Sequence, residues 1–132
     1  MNKQEVLSGP GGRVLIMDSI TKVEPADRDA IVVSASHGGH SSGEFALEVP
    51  LAAVFFNDAG GGKDNAGIAA LPMQQAAGVL AGTVSSYSAR IGDSEDMWQN
   101  GVLSHLNALA EARGLRVGMR LREALDMLVA AR

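Results

Sequence analysis

The chain has 132 residues, 46% of them hydrophobic and 20% charged, which suits one globular domain with its own core and excludes a largely disordered chain. Its formal net charge of −4, with basic residues spread along the sequence, excludes the clustered Lys and Arg surface that nucleic acid demands. It contains no cysteine, so disulfide frameworks, thiolate nucleophiles and cysteine-held zinc are excluded as well.

In chain order, residues 1–12 hold a Ser-Gly-Pro-Gly-Gly run that suits neither helix nor central strand, so a flexible lead-in is expected there and a single α/β domain over 13–132. Arg13 to Ile20 is apolar enough for a buried strand, with Asp18, Ser19 and Thr21 at its end. After a charged, Pro-containing turn, Ala30 to Ala35 forms a second strand that runs into Ser36-His37-Gly38-Gly39-His40. The link between these strands is short for a parallel crossover, so an antiparallel pair fits as well as a parallel one.

Gly43 to Val49 reads as a short helix before Pro50, and Leu51 to Phe56 as the most hydrophobic strand. That strand ends abruptly in Asn57 and Asp58, followed by Gly60, Gly61 and Gly62, then Lys63, Asp64 and Asn65 at the start of a helical segment reaching Gly78. Val79 to Ser85 forms the next strand, closed by a polar loop carrying Ser88, Arg90 and Asp93. Trp98, Val102, Leu106, Leu109 and Arg113 recur at helical spacing and predict one long helix over 94–113, with Gly114 beyond its end. A final amphipathic helix runs from Met119 to Arg132. The expected fold is a mainly parallel sheet of about four strands between helices, a Rossmann-like three-layer arrangement.

Three strands thus end in loops of one character, SASHGGH, NDAGGGKDN and SSYSARIGD. In an open α/β sheet such loops gather outside the carboxyl ends of the strands, where ligands bind. Turn chemistry accounts for the glycines but not for His37, Lys63 or Arg90. His37 follows its strand directly and has the side chain whose intrinsic pKa lies nearest neutrality, which suits acid/base work. Asp58, at the edge of the core, is its expected partner: burial would raise its pKa and Lys63 would lower it. Lys63 and Arg90 suit an anionic ligand, with solvent exposure and a salt bridge to Asp93 or Asp96 as their respective alternatives. Ser36, Asn57, Asp64 and Ser88 complete the expected binding set.

Gly62-Lys63 resembles only the end of a phosphate-binding P-loop, because Asn57 stands at the first glycine position and Asp64 replaces the magnesium-binding hydroxyl. His37-x-x-His40 lacks a diagnostic metal spacing, so no metal and no cofactor are expected. The G-x-S-x-G elbow is absent, and His105 falls mid-helix in this reading, as packing or surface. No apolar run reaches the roughly 18 residues of a membrane span. The N-terminus also lacks a signal-peptide core, so a cytoplasmic protein without membrane partners is expected. With aromatics at only 4%, the core is thin for its length, which favours burial at a subunit interface and hence a homo-oligomer. The function these features support is a small hydrolase, lyase or isomerase acting on a small anionic metabolite. Its rival is a non-catalytic ligand-binding or subunit module.

Overall fold

Apolar runs buried on both faces build one mixed sheet, described over residues 2–131 in the computed structural model. Its strands are β1 (Lys3–Gly9), β2 (Gly12–Met17), β3 (Ile31–His37), β4 (Ala53–Asn57), β5 (Leu80–Val84) and β6 (Leu103–Leu106), side by side in chain order. The middle of the sheet, β2 to β5, is parallel, and β1 and β6 pair antiparallel at its two edges. The domain is therefore α/β, with a sheet of six strands rather than about four.

Successive residues of the central strands feed opposite faces. Met17, Val32, Val54, Phe56 and Ala81 pack under α1 (His40–Ala46) and α2 (Ala70–Ala76). Ile16, Val33, Phe55 and Val84 pack against α3 (Ser94–Asn100), α4 (Ala108–Ala112) and α5 (Leu121–Ala130), through Met97, Trp98, Ala110, Leu125 and Leu128. Phe55 and Phe56 are both fully buried, one on each face, and each such ring contributes roughly 1.5–3 kcal/mol relative to exposure. Small residues then let the layers close: Gly43 of α1 lies against Ala70 and Met73 of α2, and the buried Gln74 amide donates to the Gly43 carbonyl at 3.1 Å.

Three segments differ from the sequence expectation. Within the expected lead-in, Lys3–Gly9 forms edge strand β1. Its Lys3 ammonium bonds Asp27 at 2.9 Å and Glu24 at 3.0 Å, and the Asn2 N–H donates to Asp18 at 2.6 Å. The Gly-Pro-Gly-Gly run is its hairpin turn, pressed against the backbone of α5, where a Cβ on Gly9 would come within 2.6 Å of the Val129 carbonyl oxygen. The first expected strand pair, β2 and β3, left open between parallel and antiparallel, is parallel; its short link over 18–30 still crosses the sheet face, through two 3-10 turns, Ile20–Lys22 and Pro25–Asp27, rather than a helix. The antiparallel partner of β2 is β1.

The third difference is the expected helix over 94–113, which is α3, β6 and α4 in succession. Gly101 ends α3 with extended backbone, and a Cβ there would run into the Met97 carbonyl. Asn107 opens α4: its carbonyl oxygen accepts from Ala110 N–H and Ala81 N–H, both at 3.1 Å, while its amide donates to the Val79 carbonyl at 3.0 Å. Pairing with the open edge of β5 thus outcompetes a helical pattern whose residues each tolerate both states.

Candidate functional site

The carboxyl ends of β3 and β4 are brought together by their glycines. Gly38 N–H donates to the Asn57 carbonyl at 3.0 Å, and the Gly38 carbonyl accepts from Ala70 N–H at 2.8 Å. A Cβ on Gly38 would lie 2.5 Å from the Gly67 carbonyl oxygen, and one on Gly67 would collide with the Asp58 carbonyl. The SHGGH loop and the glycine loop therefore pack backbone against backbone, which only glycine permits.

Between them lies a concavity of about 340 Å³ whose walls include His37, His40, Ser41, Gly62 and Ala66, with no carboxylate in its lining. His37 is exposed at its rim and its Nδ1 accepts from Gly39 N–H at 3.1 Å, which aims Nε2 outward. His37 also borders a second concavity of about 330 Å³ on the side of β2, where Asp18, Ser19, Thr21, Ser36 and Phe45 contribute. His40 is exposed and pairs with Glu44 at 3.2 Å, one helical turn on.

The glycine loop is conformationally strained. Ala59, Asp64 and Asn65 hold φ of 54°, 54° and 59°, and Gly60 to Gly62 hold 78°, 89° and 69°. Non-glycine residues in this region store on the order of 1–3 kcal/mol each. Lys63 is exposed at the crest and makes no ion pair among the described residues. Asp64 is exposed beside it, and no side chain caps the turn that follows.

Asp58 is 6% exposed, and its Oδ1 accepts from Gly60 N–H at 2.8 Å and Ser86 N–H at 3.0 Å. Burial pushes the carboxyl up, but the Gly60 N–H, the Ser104 hydroxyl, the Ser86 N–H and the charge of His105 outweigh it and hold it below the ordinary aspartate value. The groups that lower it are backbone donors and β6 side chains, with Lys63 absent from them. The carboxyl reaches toward β5 and β6, while His37 lies on the β3 side of β4; no hydrogen bond joins the two.

The remaining expected residues divide by what they touch. Ser36 lines the second concavity but its hydroxyl accepts from Ile20 N–H at 2.9 Å. Asn57 is fully buried, donating to the Ala89 carbonyl at 3.0 Å and accepting from Ala59 N–H at 2.9 Å. Ser88 donates to the Ser85 carbonyl at 2.7 Å and accepts from Val102 N–H at 3.0 Å. Arg90 points away from the histidines, toward Asp93 at 3.9 Å and a hollow shared with Glu95 and Asp96.

Asp18 is a residue the sequence reading left out of the site. It accepts from Ser94 N–H at 3.0 Å and the Ser94 hydroxyl at 2.6 Å, which fixes the start of α3 beside the second concavity. Its signal was the one that singled out Asp58, a carboxylate at the carboxyl end of an apolar strand. Ser104 and His105 were missed because β6 was read as helix, and Thr83, on the correctly expected β5, because its partners lie on β6. Among the described residues no group of three or more His, Asp and Glu side chains is arranged to hold a metal ion. No helix described is long and apolar enough to cross a membrane. The chain matches no known protein family, no curated protein and no solved structure.

Proposed function

We propose that this protein is a small-molecule enzyme of hydrolase or lyase/isomerase type, taking a small anionic metabolite between the SHGGH and glycine loops. His37 is the proton-transfer group, its outward ring nitrogen facing the ligand. Lys63 supplies positive charge from the glycine-loop side, and His40 a polar ring from the other. Asp58, ionised at neutral pH, is a standing negative charge rather than a base, since its lowered pKa leaves little affinity for a proton. The observation that carries this reading is the concavity walled by two histidines and free of carboxylates, with the unpaired Lys63 next to its Gly62 edge. The cysteine-free composition fits a reducing cytoplasm, and we place the enzyme there as a homo-oligomer.

A second reading is favoured by a specific observation. Ser36, Asn57 and Ser88 spend their polar atoms on backbone ties, as a rigid ligand-binding or subunit module would require. The two readings separate on turnover. Native mass spectrometry of the purified protein identifies any co-purifying metabolite, which then serves as the starting point for substrates. The enzyme reading expects His37→Asn to reduce kcat by the roughly 10²–10⁴ typical of losing a general acid or base, with ligand affinity held within about tenfold. A ligand bound by His37→Asn and wild type alike and turned over by neither supports the module.

A further inference from the structure

Side chains of β5 and β6 form a hydrogen-bonded chain that has no part in the His37 concavity. The register of these strands slips between the Thr83–His105 and Val84–Leu103 pairs, leaving Ser104 as the extra residue of a bulge. Bulges of this kind re-aim side chains. Thr83 Oγ1 lies 2.9 Å from Ser104 Oγ and 3.1 Å from His105 Nδ1. Beyond Ser104 stands the Asp58 carboxyl, whose ionised form both Ser104 and His105 favour.

The two hydroxyls can donate in either order, and where the Ser104 proton goes decides between them. Ser104 has one hydroxyl proton, drawn to the Thr83 carbonyl at 3.3 Å or to the Asp58 carboxylate, and both of those only accept. With the Ser104 proton placed there, the contact between the two hydroxyls uses the Thr83 proton, and Ser104 Oγ accepts. Thr83 then has no proton left for His105, so the remaining contact needs one on Nδ1. In the neutral ring this leaves Nε2 bare. The ring is half-buried, and the one hydrogen bond it makes among the described residues is at Nδ1.

We propose that His105 is a second proton-accepting group of the strand-end site, held as the Nδ1–H tautomer by the Thr83–Ser104 hydroxyl chain. Its bare Nε2 is open to an O–H or N–H group of a ligand approaching β6 from solvent. The proposal rests on the strand ends doing acid/base chemistry, but its geometry does not involve His37. The partner hydrogen-bonded to one ring nitrogen decides which nitrogen carries the proton. In water the usual neutral form carries it on Nε2, so the opposite tautomer is a distinctive signature.

The test is the ring-nitrogen NMR spectrum of the full 15N-labelled chain, recorded where the histidines are neutral, with His37 and His40 as internal references. Wild-type His105 is expected to be mostly Nδ1–H. Thr83→Val keeps the shape but removes the acceptor, and should return the ring mostly to Nε2–H; Thr83→Ser should restore Nδ1–H. Should Thr83→Val fail to fold, Ser104→Ala serves, because it frees the Thr83 proton to donate to Nδ1 and shifts the ring the same way. Access to Nε2 is read with diethyl pyrocarbonate: the lone pair attacks the reagent's carbonyl carbon and expels ethyl carbonate, the Nδ1 proton is released to it through solvent, and the resulting acid decays to carbon dioxide and ethanol. Modification of His105, followed by mass spectrometry, should slow several-fold in Thr83→Val. A wild-type ring that is mostly Nε2–H, or one that neither substitution shifts, overturns the proposal, as does equal modification of wild type and variant. Each of these outcomes leaves the His37 turnover experiment standing, and that experiment leaves these standing in turn.

Discussion

At the residue scale, Asp58 joins stability to the site. Its folded-state pKa is depressed, so the stabilisation it brings is fully present above the unfolded-state value and is lost as pH falls through the lower folded value. Thermal denaturation should therefore lose stability below about pH 4 and show no pH dependence from this group between about pH 5 and 7, where its contribution is complete. Asp58→Asn retains an acceptor for Gly60 and Ser86, so it should fold and show a shallower acid slope than wild type. Asp18 is depressed too, burial being outweighed by Ser94 and Asn2, and keeps part of that slope in the variant. An unchanged slope in Asp58→Asn would mean that the carboxylate contributes nothing to folding. Lys63→Ala, at an exposed and unpaired position, should change stability by no more than about 0.5 kcal/mol while weakening anion binding. Gly67→Ala should be severely destabilising, because its Cβ has nowhere to go but into the Asp58 carbonyl. Equilibrium denaturation of the two variants side by side checks both statements.

At the element scale, the connection from β5 to α5 decides the shape of the edge. Asn107 is 7% exposed and satisfies three backbone groups on β5, on α4 and before β5. Asn107→Ala removes a helix cap and strands buried partners, which should cost about 2–4 kcal/mol in chemical denaturation. A loss below about 0.5 kcal/mol would show that β6 is held by its ladder alone. The elements legible in the sequence were those with one dominant pattern: Ile31–His37, Ala53–Asn57 and Leu80–Val84 as apolar runs with polar ends, and Leu121–Ala130 as an amphipathic helix. The edge strands were not legible, for a common reason. KQEVLSG and LSHL are half-polar and stabilised by what they pair with, so the information that makes them strands lies in the open ladders of β2 and β5. His105 went with β6: its position beside Thr83 is a register fact that helical spacing hid.

At the scale of the whole molecule, the strands succeed one another in order without reversal, yet the chain leaves β4 for the α2 face and β5 for the α3 face. Neighbouring connections thus depart to opposite faces between β4 and β5, and there Asp58 ties the two strand ends together through Gly60 and Ser86. The convergence of polar loops was legible from the sequence because it follows from parallel strands. The partners of Asp58 were not, since they are backbone N–H groups and residues of β6. Helices cover both faces of the sheet, so the proposed homo-oligomer has the open edge of β1 and scattered apolar side chains such as Val117 and Met127 to use. Light scattering at micromolar concentration should give a mass above 13.7 kDa, and a clean monomer would remove the oligomer from the account.

The central claim is that the cavity between the SHGGH and glycine loops takes an anion against His37. Amide 1H–15N spectra of the labelled protein, titrated with inorganic phosphate and with small mono- and dicarboxylates, test it most directly. The account predicts saturable shifts concentrated on residues 38–41 and 61–67, weakened in Lys63→Ala and kept within about tenfold in affinity in His37→Asn. Shifts confined to residues 90–96, or none at any concentration, would contradict it.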